Sequence, residues 1–418
     1  MSDAVHDAQR LKELQSLPLE RKVQITQARI IEWYKHYGGA VCVSFSGGKD
    51  STVLLHIARQ LYPDIPAVFS NTGLEYPEIQ RFVKSCENVD IVTPAMRFDE
   101  VVSTYGYPLI GKEVAEAIYY ARRIRSKPAK TNAGEDEIET KGGYPNGYWK
   151  GWRRKALQDG KQFDAENYLI ETSTARNRRT CLQGKLAPND TVRAGRLHQG
   201  DYEKDERWYD YEPGYRWQYE LQGFKKNGVA SAKSQFNKEK WLPLARDVPV
   251  LVSHYCCFKM KKSPMKKYQH ANDYKPILAT LAEESRVRKQ AWIRHGCNAF
   301  EGKSPMSQPM SFWTEQDVLT YIVKNDLPIA SVYGEIVSAG ADGNEYPAKD
   351  VFGNVNCNLH CTGCQRTGCI FCAFGFHLDK GKTRFQLLSE THPRQYEFAL
   401  EGGAMGRQSA LRPHSTRV

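Results

Sequence analysis

Six consecutive residues, Ser46-Gly47-Gly48-Lys49-Asp50-Ser51, carry the clearest chemistry in the chain. The apolar run Val41-Cys42-Val43-Ser44-Phe45 precedes them, and an amphipathic segment from Thr52 to Leu61 follows. That order predicts a strand, an anion-cradling loop and a helix. The glycines let backbone N–H groups approach an anion, and the helix N-terminus adds a partial positive charge. Lys49 adds a cation, and Ser46 and Ser51 add hydroxyls. The G-x-x-x-x-G-K-[ST] spacing of the common phosphate loop is missing. The plain alternative is a Gly-rich turn with incidental Lys and Ser.

The cysteines form the second constellation. Of 11, five lie between Cys357 and Cys372, and Cys256 and Cys257 are adjacent. Such clustering favours metal or cluster ligation over a disulfide framework. Cys361-x2-Cys364-x4-Cys369-x2-Cys372, with Cys357 just upstream, suits zinc as an alternative; unliganded thiols are the third reading. Cys42, Cys86, Cys181 and Cys297 are scattered and read as core residues or free thiols. His254 and His360 flank the clustered cysteines. No Ser-His-Asp or H-E-x-x-H arrangement occurs.

Apolar spacing predicts one or two helices in residues 1–37, a strand at Ala40–Phe45 and another at Ala67–Ser70. Asn71-Thr72-Gly73 ends the second strand, a helix starts near Tyr76-Pro77-Glu78, and Val89–Thr93 is a third strand. Alternating strands and helices imply an α/β fold with a doubly wound parallel sheet, which places Ser46–Ser51 and Asn71–Gly73 on one rim. The rhythm fades over 125–240 and is expected to return near Leu242–Val252. Thr314 caps a helix running to Val323, with Asp317 three residues on. Residues 353–376 read as a Cys-rich knuckle, and the tail from Gly402 as frayed. The expected divisions are a helical segment (1–37), a nucleotide-binding core (38–120), a basic aromatic insertion (121–240), the second part of the core (241–350), a Cys-rich segment (351–380), and a helix with tail (381–418).

At 418 residues the chain exceeds one ordinary core. No window approaches a membrane span, and the first residues lack an apolar signal region, so a cytoplasmic protein is expected. The net charge is +11. Residues 121–240 hold 25 Lys/Arg against 17 Asp/Glu, with many Tyr and Trp. Cations for phosphates and rings for bases suit nucleic acid; the bland reading is a solvated surface over a small aromatic core.

SGGKDS resembles the PP-loop of the ATP pyrophosphatase superfamily, whose members act at the α-phosphate of ATP or an adenylyl nucleotide. Asn71-Thr72-Gly73-Leu74-Glu75-Tyr76-Pro77-Glu78, following it, resembles the second motif of the phosphoadenylyl-sulfate (PAPS) reductase family. Tyr107 to Glu113 is similar to a segment of a phage and bacterial subgroup that places a lysine, here Lys112, near the nucleotide. Ala279 to Arg288 resembles G-x-R-x-x-E-S-x-x-R: Glu284, Ser285 and Arg288 match, while Ala279 and Leu281 replace the Gly and Arg. That departure weakens the expectation of a phosphorylated or sulfated nucleotide. Pro309 to Val318 resembles the family's P-[IL]-x-x-W-[ST]-x-x-D-V segment. The resemblance covers roughly 38–120 and 242–378 and implies a HUP-type fold of the adenine nucleotide α-hydrolase kind. It implies nucleotide contacts from Ser44, Phe45, Ser46, Gly47, Gly48, Lys49, Asp50, Ser51, Asn71, Thr72, Gly73, Lys112, Glu284 and Arg288. Lys49, Asp50 and Ser51 would be catalytic, with Mg²⁺ beside Asp50.

A Cys-Cys pair with a distant G-C-x-x-C is similar to the [4Fe–4S] ligand set of assimilatory adenylyl-sulfate reductases. The resemblance therefore implies cluster ligation by Cys256, Cys257, Cys369 and Cys372, leaving Cys357, Cys361 and Cys364 as alternative ligands or a second site. Those reductases attack with a cysteine near the C-terminus, and no cysteine follows Cys372 here. Sulfur-transferring relatives fit better: they activate an acceptor with ATP, release pyrophosphate and deliver sulfur. The expected reaction is thiolation of a nucleic-acid acceptor, with a cysteine desulfurase or thioredoxin-like partner and a homodimer left open. A thioredoxin-dependent reductase and a non-enzymatic nucleotide and cluster sensor are the competing readings.

Overall fold

The computed structural model describes residues 6–125, 221, 238–247, 250–302, 304–365, 367–376 and 382–397. Most of the basic insertion expected at 121–240, Cys181 within it, and the tail from Gly402 lie outside the described residues. Two compact units are present: Met1–Phe98 with Cys257–Cys372, and Asp99–Cys256 with Ala373–Val418.

The strands in chain order are β1 (Val41–Ser44), β2 (Ala67–Ser70), β3 (Val89–Val92), β4 (Leu109–Ile110), β5 (Lys275–Leu278), β6 (Asn298–Ala299), β7 (Met306–Ser307), β8 (Ile336–Ala339), β9 (Glu345–Pro347), β10 (Leu359–Cys361) and β11 (Ala373–Phe374). The first unit holds a sheet ordered β3-β2-β1-β5-β7-β6. All its pairs are parallel except β6 with β7. Val43 pairs with Ala67 on one side and with Ile277 on the other. The chain leaves β1 toward β2 and later returns to β1's other edge as β5, so the strand order reverses at β1. Ligands in open parallel sheets bind beyond the carboxyl end of that reversal point.

Val41, Cys42 and Val43 are fully buried, as a central strand covered on both faces requires. Helices α1 (Ala8–Gln15), α2 (Leu19–His36), α3 (Lys49–Leu61) and α4 (Pro77–Ser85) belong to this unit. Ile30 and Trp33 of α2, Val53, Leu54 and Ile57 of α3, and Ile79 and Val83 of α4 share one core with the sheet. The helix Glu315–Lys324 starts as expected: Thr314 Oγ1 accepts from Asp317 N at 3.2 Å, and the Asp317 carboxylate accepts from Thr314 N at 2.7 Å. This reciprocal cap satisfies donors that the first turn would leave bare. A second sheet, β10-β8-β9, is antiparallel. It places Cys361 at the end of β10, where the sequence suggested part of a knuckle.

The expected return of the α/β rhythm near Leu242–Val252 begins with a helix. Leu242–Asp247 is a helix whose Pro243 falls in the first turn, where a missing N–H costs nothing. The sheet resumes at β5.

In the second unit, β11 pairs with β4 in parallel. Helix α5 (Phe98–Tyr105) leads through Gly106 to β4, and α6 (Lys112–Arg125) follows. Gly106 has φ +114°, and a Cβ there would lie 2.6 Å from the Leu251 carbonyl carbon. That approach lets Tyr107 N donate to Leu251 O at 2.7 Å. Ala115 and Ile118 of α6, Ala245 and Val252 form this unit's own small core.

Candidate functional site

The loop after β1 is built largely from its own hydroxyls. Ser46 Oγ lies 3.0 Å from Ser51 Oγ and accepts from Gly48 N at 3.3 Å. Ser51 Oγ also accepts from Ser46 N at 3.2 Å and donates to Gly48 O at 2.9 Å. Gly47 has φ +70°, and a Cβ there would meet Val83 Cγ2 at 2.7 Å and Ile79 Cγ2 at 2.9 Å. Both the backbone and the space demand glycine. Gly48 is the N-cap of α3 and supplies no side-chain cap. Ser44 Oγ, at the strand's end, is buried with no hydrogen-bond partner. An orphaned hydroxyl beside a Gly-rich helix start suits a polar ligand.

Lys49 is buried, with Nζ 3.0 Å from Glu315 Oε1 and 3.2 Å from Gln365 O. Burial works against its charge, but the carboxylates of Asp50 and Glu315 outweigh that penalty and raise its pKa. Glu283 is shifted upward, by burial first and then by the neighbouring Glu315, Asp317 and Asp50 carboxylates. The Tyr333 hydroxyl accepts from Lys49 N at 3.2 Å and lies 2.6 Å from Thr367 Oγ1. Burial raises the Tyr333 pKa, so its phenol stays neutral.

The second motif sits at the carboxyl end of β2, as the sheet pattern required. Asn71 Oδ1 accepts from Gly73 N at 3.1 Å, and Gly73 has φ +74°. Glu75 is buried and accepts from Thr72 N at 3.0 Å and Thr72 Oγ1 at 2.7 Å. Lys261 Nζ lies 3.5 Å from Glu75 Oε1 and also bonds the Cys369 thiol. Burial opposes the Lys261 charge, but Cys369, Glu75 and Cys257 raise its pKa. Burial raises the Cys369 pKa against the pull of Lys261. Lys261 belongs to the π-helix Phe258–Lys262, a rare element that is frequent at functional sites.

The expected metal ligands are partly gathered. Cys257 and Cys369 share the field of Lys261, and Cys372 N bonds Cys369 O at 3.0 Å to close the C-x2-C turn. Cys256 belongs to the second unit. Cys361 is buried, Cys357 is exposed, and Cys364 Sγ lies 4.0 Å from Tyr76 Oη. Thiols suit iron or zinc chemically, but among the described residues no three His, Cys, Asp or Glu side chains converge closely enough to hold a metal ion.

Glu284 and Arg288 pair with each other, and Glu284 Oε2 accepts from Leu281 N at 3.2 Å. Ser285 caps the helix Arg286–His295. The E-S-x-x-R segment is thus a self-bonded helix start. Lys112 heads α6 in the second unit.

Residues 40–108 and 218–374, more than half of the chain, match the phosphoadenosine phosphosulfate reductase domain. The chain belongs to that family. An uncharacterized protein of Methanocaldococcus jannaschii is 31% identical over 94 residues, 22% of this chain and 23% of that protein. An adenosine 5'-phosphosulfate reductase of Staphylococcus haemolyticus is 27% identical over 103 residues, 23% of this chain and 42% of that enzyme. The matched stretch thus spans less than half the length of either relative.

Within this PAPS reductase domain, four loop neighbours escaped the sequence reading: Glu315, Tyr333, Gln365 and Thr367. Glu315 had a usable signal, since it adjoins the expected cap Thr314. The other three have ordinary residue types and no motif. Among the described residues, no helix is long and apolar enough to cross a membrane.

Proposed function

We propose that this chain is an ATP-dependent sulfur-transfer enzyme that activates an acceptor at the α-phosphate and releases pyrophosphate. The carrying observation is the Ser44–Ser51 loop, placed beyond the sheet's reversal point with a buried lysine at the start of α3. Backbone N–H groups and the Lys49 ammonium suit the charge that develops on departing pyrophosphate. For a carbonyl acceptor, its oxygen attacks the α-phosphorus, and the bond to the α,β-bridging oxygen breaks with its electron pair leaving on pyrophosphate. A hydrosulfide-level donor then adds at the activated carbon, AMP departs with the carbon–oxygen pair, and one proton is released. ATP enters as its Mg²⁺ complex. The sequence-level excess of cations and aromatics in 121–240 supports a nucleic-acid acceptor. Leu281 stands where the resembled pattern has arginine and is buried in the apolar core, so it offers no cation for an extra phosphate or sulfate. A cluster on Cys256, Cys257, Cys369 and Cys372 accompanies the proposal with no step assigned, and iron and sulfide analysis tests it.

A second reading, reduction of an adenylyl sulfate, draws support from the partial match to the staphylococcal enzyme. Pyrophosphate exchange into ATP that depends on added tRNA or DNA is expected for the first reading. Sulfite release from an adenylyl sulfate with thioredoxin, and no such exchange, would replace it with the second.

A further inference from the structure

Three donors of the PP-loop are held by protein acceptors. Lys49 N donates to Tyr333 Oη, Gly48 N donates to Ser46 Oγ, and Lys49 Nζ is shared between Glu315 and Gln365 O. Tyr333 is held firmly in this position. It is 2% exposed, and its ring lies 5.6 Å from the Lys49 ammonium. Its backbone is pinned where Gly363 N donates to Tyr333 O at 2.8 Å and Cys364 N donates to Val332 O at 2.9 Å. Two glycines make that crossing possible: a Cβ on Gly334 would lie 2.3 Å from Thr362 Oγ1, and one on Gly363 would lie 2.5 Å from Val332 O. The hydroxyl also packs on the loop itself, 3.2 Å from where a Gly48 Cβ would stand.

We infer that Tyr333 is a latch on the PP-loop, whose phenolic oxygen holds the place on the Lys49 N–H that a nucleotide phosphate oxygen takes. The inference rests on the ATP-binding part of the proposed function. A phosphate oxygen is a charged acceptor and a phenol a neutral one, so the exchange favours nucleotide. The Tyr333–Thr367 and Lys49–Gln365 bonds must open first, so the latch lowers the apparent affinity by the fraction of time the loop is closed. Opening displaces Gln365 and Thr367, which lie between Cys364 and Cys369. Nucleotide binding and the exposure of Cys364 are thereby coupled.

Calorimetric titration of the full chain with MgATP, wild type against Tyr333→Phe, tests the latch. The phenylalanine keeps the buried ring and removes the acceptor. ATP is expected to bind about three- to tenfold more tightly to the variant, the size of one weak hydrogen bond. Thr367→Val, which removes the hydroxyl's other partner, is expected to shift affinity the same way. Alkylation of Cys364, followed by peptide mass spectrometry, is expected to speed up when ATP is added to wild type and to start fast in Tyr333→Phe. A purely structural tyrosine would lower stability without moving either readout. Unchanged or weaker ATP binding by both variants, with wild type binding normally, overturns the latch and leaves the proposed function standing. No ATP binding by any of the three proteins overturns the proposed function and the latch together.

Discussion

Lys22 Nζ lies 2.6 Å from Asp317 Oδ2, and this buried ion pair joins α2 to the helix that follows the Trp313-Thr314 turn. The lysine side chain is 3% exposed and the aspartate 14%. Asp317 also accepts from Thr314 N and Oγ1, so its charge stays hydrogen-bonded if the lysine is lost. Among the described residues, Asp317 is the one hydrogen-bond partner of the Lys22 ammonium, so Lys22 has no comparable reserve there.

Unequal damage from the two halves of that pair is the first prediction. Asp317→Asn leaves an ammonium buried and is expected to cost about 3–5 kcal/mol. Lys22→Met, which keeps the apolar stem, is expected to cost less. Urea unfolding of both variants checks the order, and equal losses would place the stabilisation in packing.

Gly47→Ala should fail at two levels. The backbone is in the left-handed region, and the new methyl would press on Val83 and Ile79 of α4. Strain and overpacking together are expected to cost about 2–4 kcal/mol. Because the loop must shift to admit the methyl, ATP binding is expected to disappear in a variant that still shows native circular dichroism. Retained ATP affinity would mean that the phosphate sits elsewhere.

Much of the sheet was legible from sequence because its signals are local. Val41–Val43 and Ala67–Phe69 are short β-branched or apolar runs, each followed by a turn of small residues. The PP-loop needs neighbours within five residues, so its chemistry could be read directly. Tyr333 could not be, since it meets Lys49 across 284 positions of chain. Its placement depends on the Gly334–Gly363 crossing, where each glycine looks ordinary until the two strands meet. Leu242–Val252 was ambiguous for another reason: its apolar content suits either a strand or a short helix, and Pro243 in the first turn fits the helix seen at Leu242–Asp247.

Alkaline pH should weaken the fold through its buried thiols. Burial pushes Cys42 up to about 12 from an ordinary value of 9.0, with Asp90 adding to the shift. Burial likewise takes Cys297 to about 11. Between the ordinary and shifted values the unfolded chain has lost these protons and the folded chain keeps them. Stability therefore falls as pH rises from about 9, by at most about 1.4 kcal/mol per pH unit for each group. Cys42→Ala is expected to flatten that dependence between pH 9 and 10.5, measured by guanidinium unfolding. An unchanged slope would assign the alkaline loss to other groups.

Glu75 offers the sharpest test of the second motif. Its buried carboxylate holds the Thr72 backbone and hydroxyl and is a counter-charge for Lys261. Glu75→Gln keeps the shape but turns one acceptor oxygen into a donor that faces other donors. A loss of about 1–3 kcal/mol is expected from the unmatched polar group. Removing the counter-charge also weakens the hold on the Lys261 proton and leaves the ammonium to Cys369 and Cys257. The Asn71–Gly73 turn should loosen while the PP-loop stays intact. ATP affinity is therefore expected to fall modestly, by about tenfold or less, with Gly47 and Lys49 still in place. A loss of ATP binding as complete as that of Gly47→Ala would show that the two motifs act as one unit.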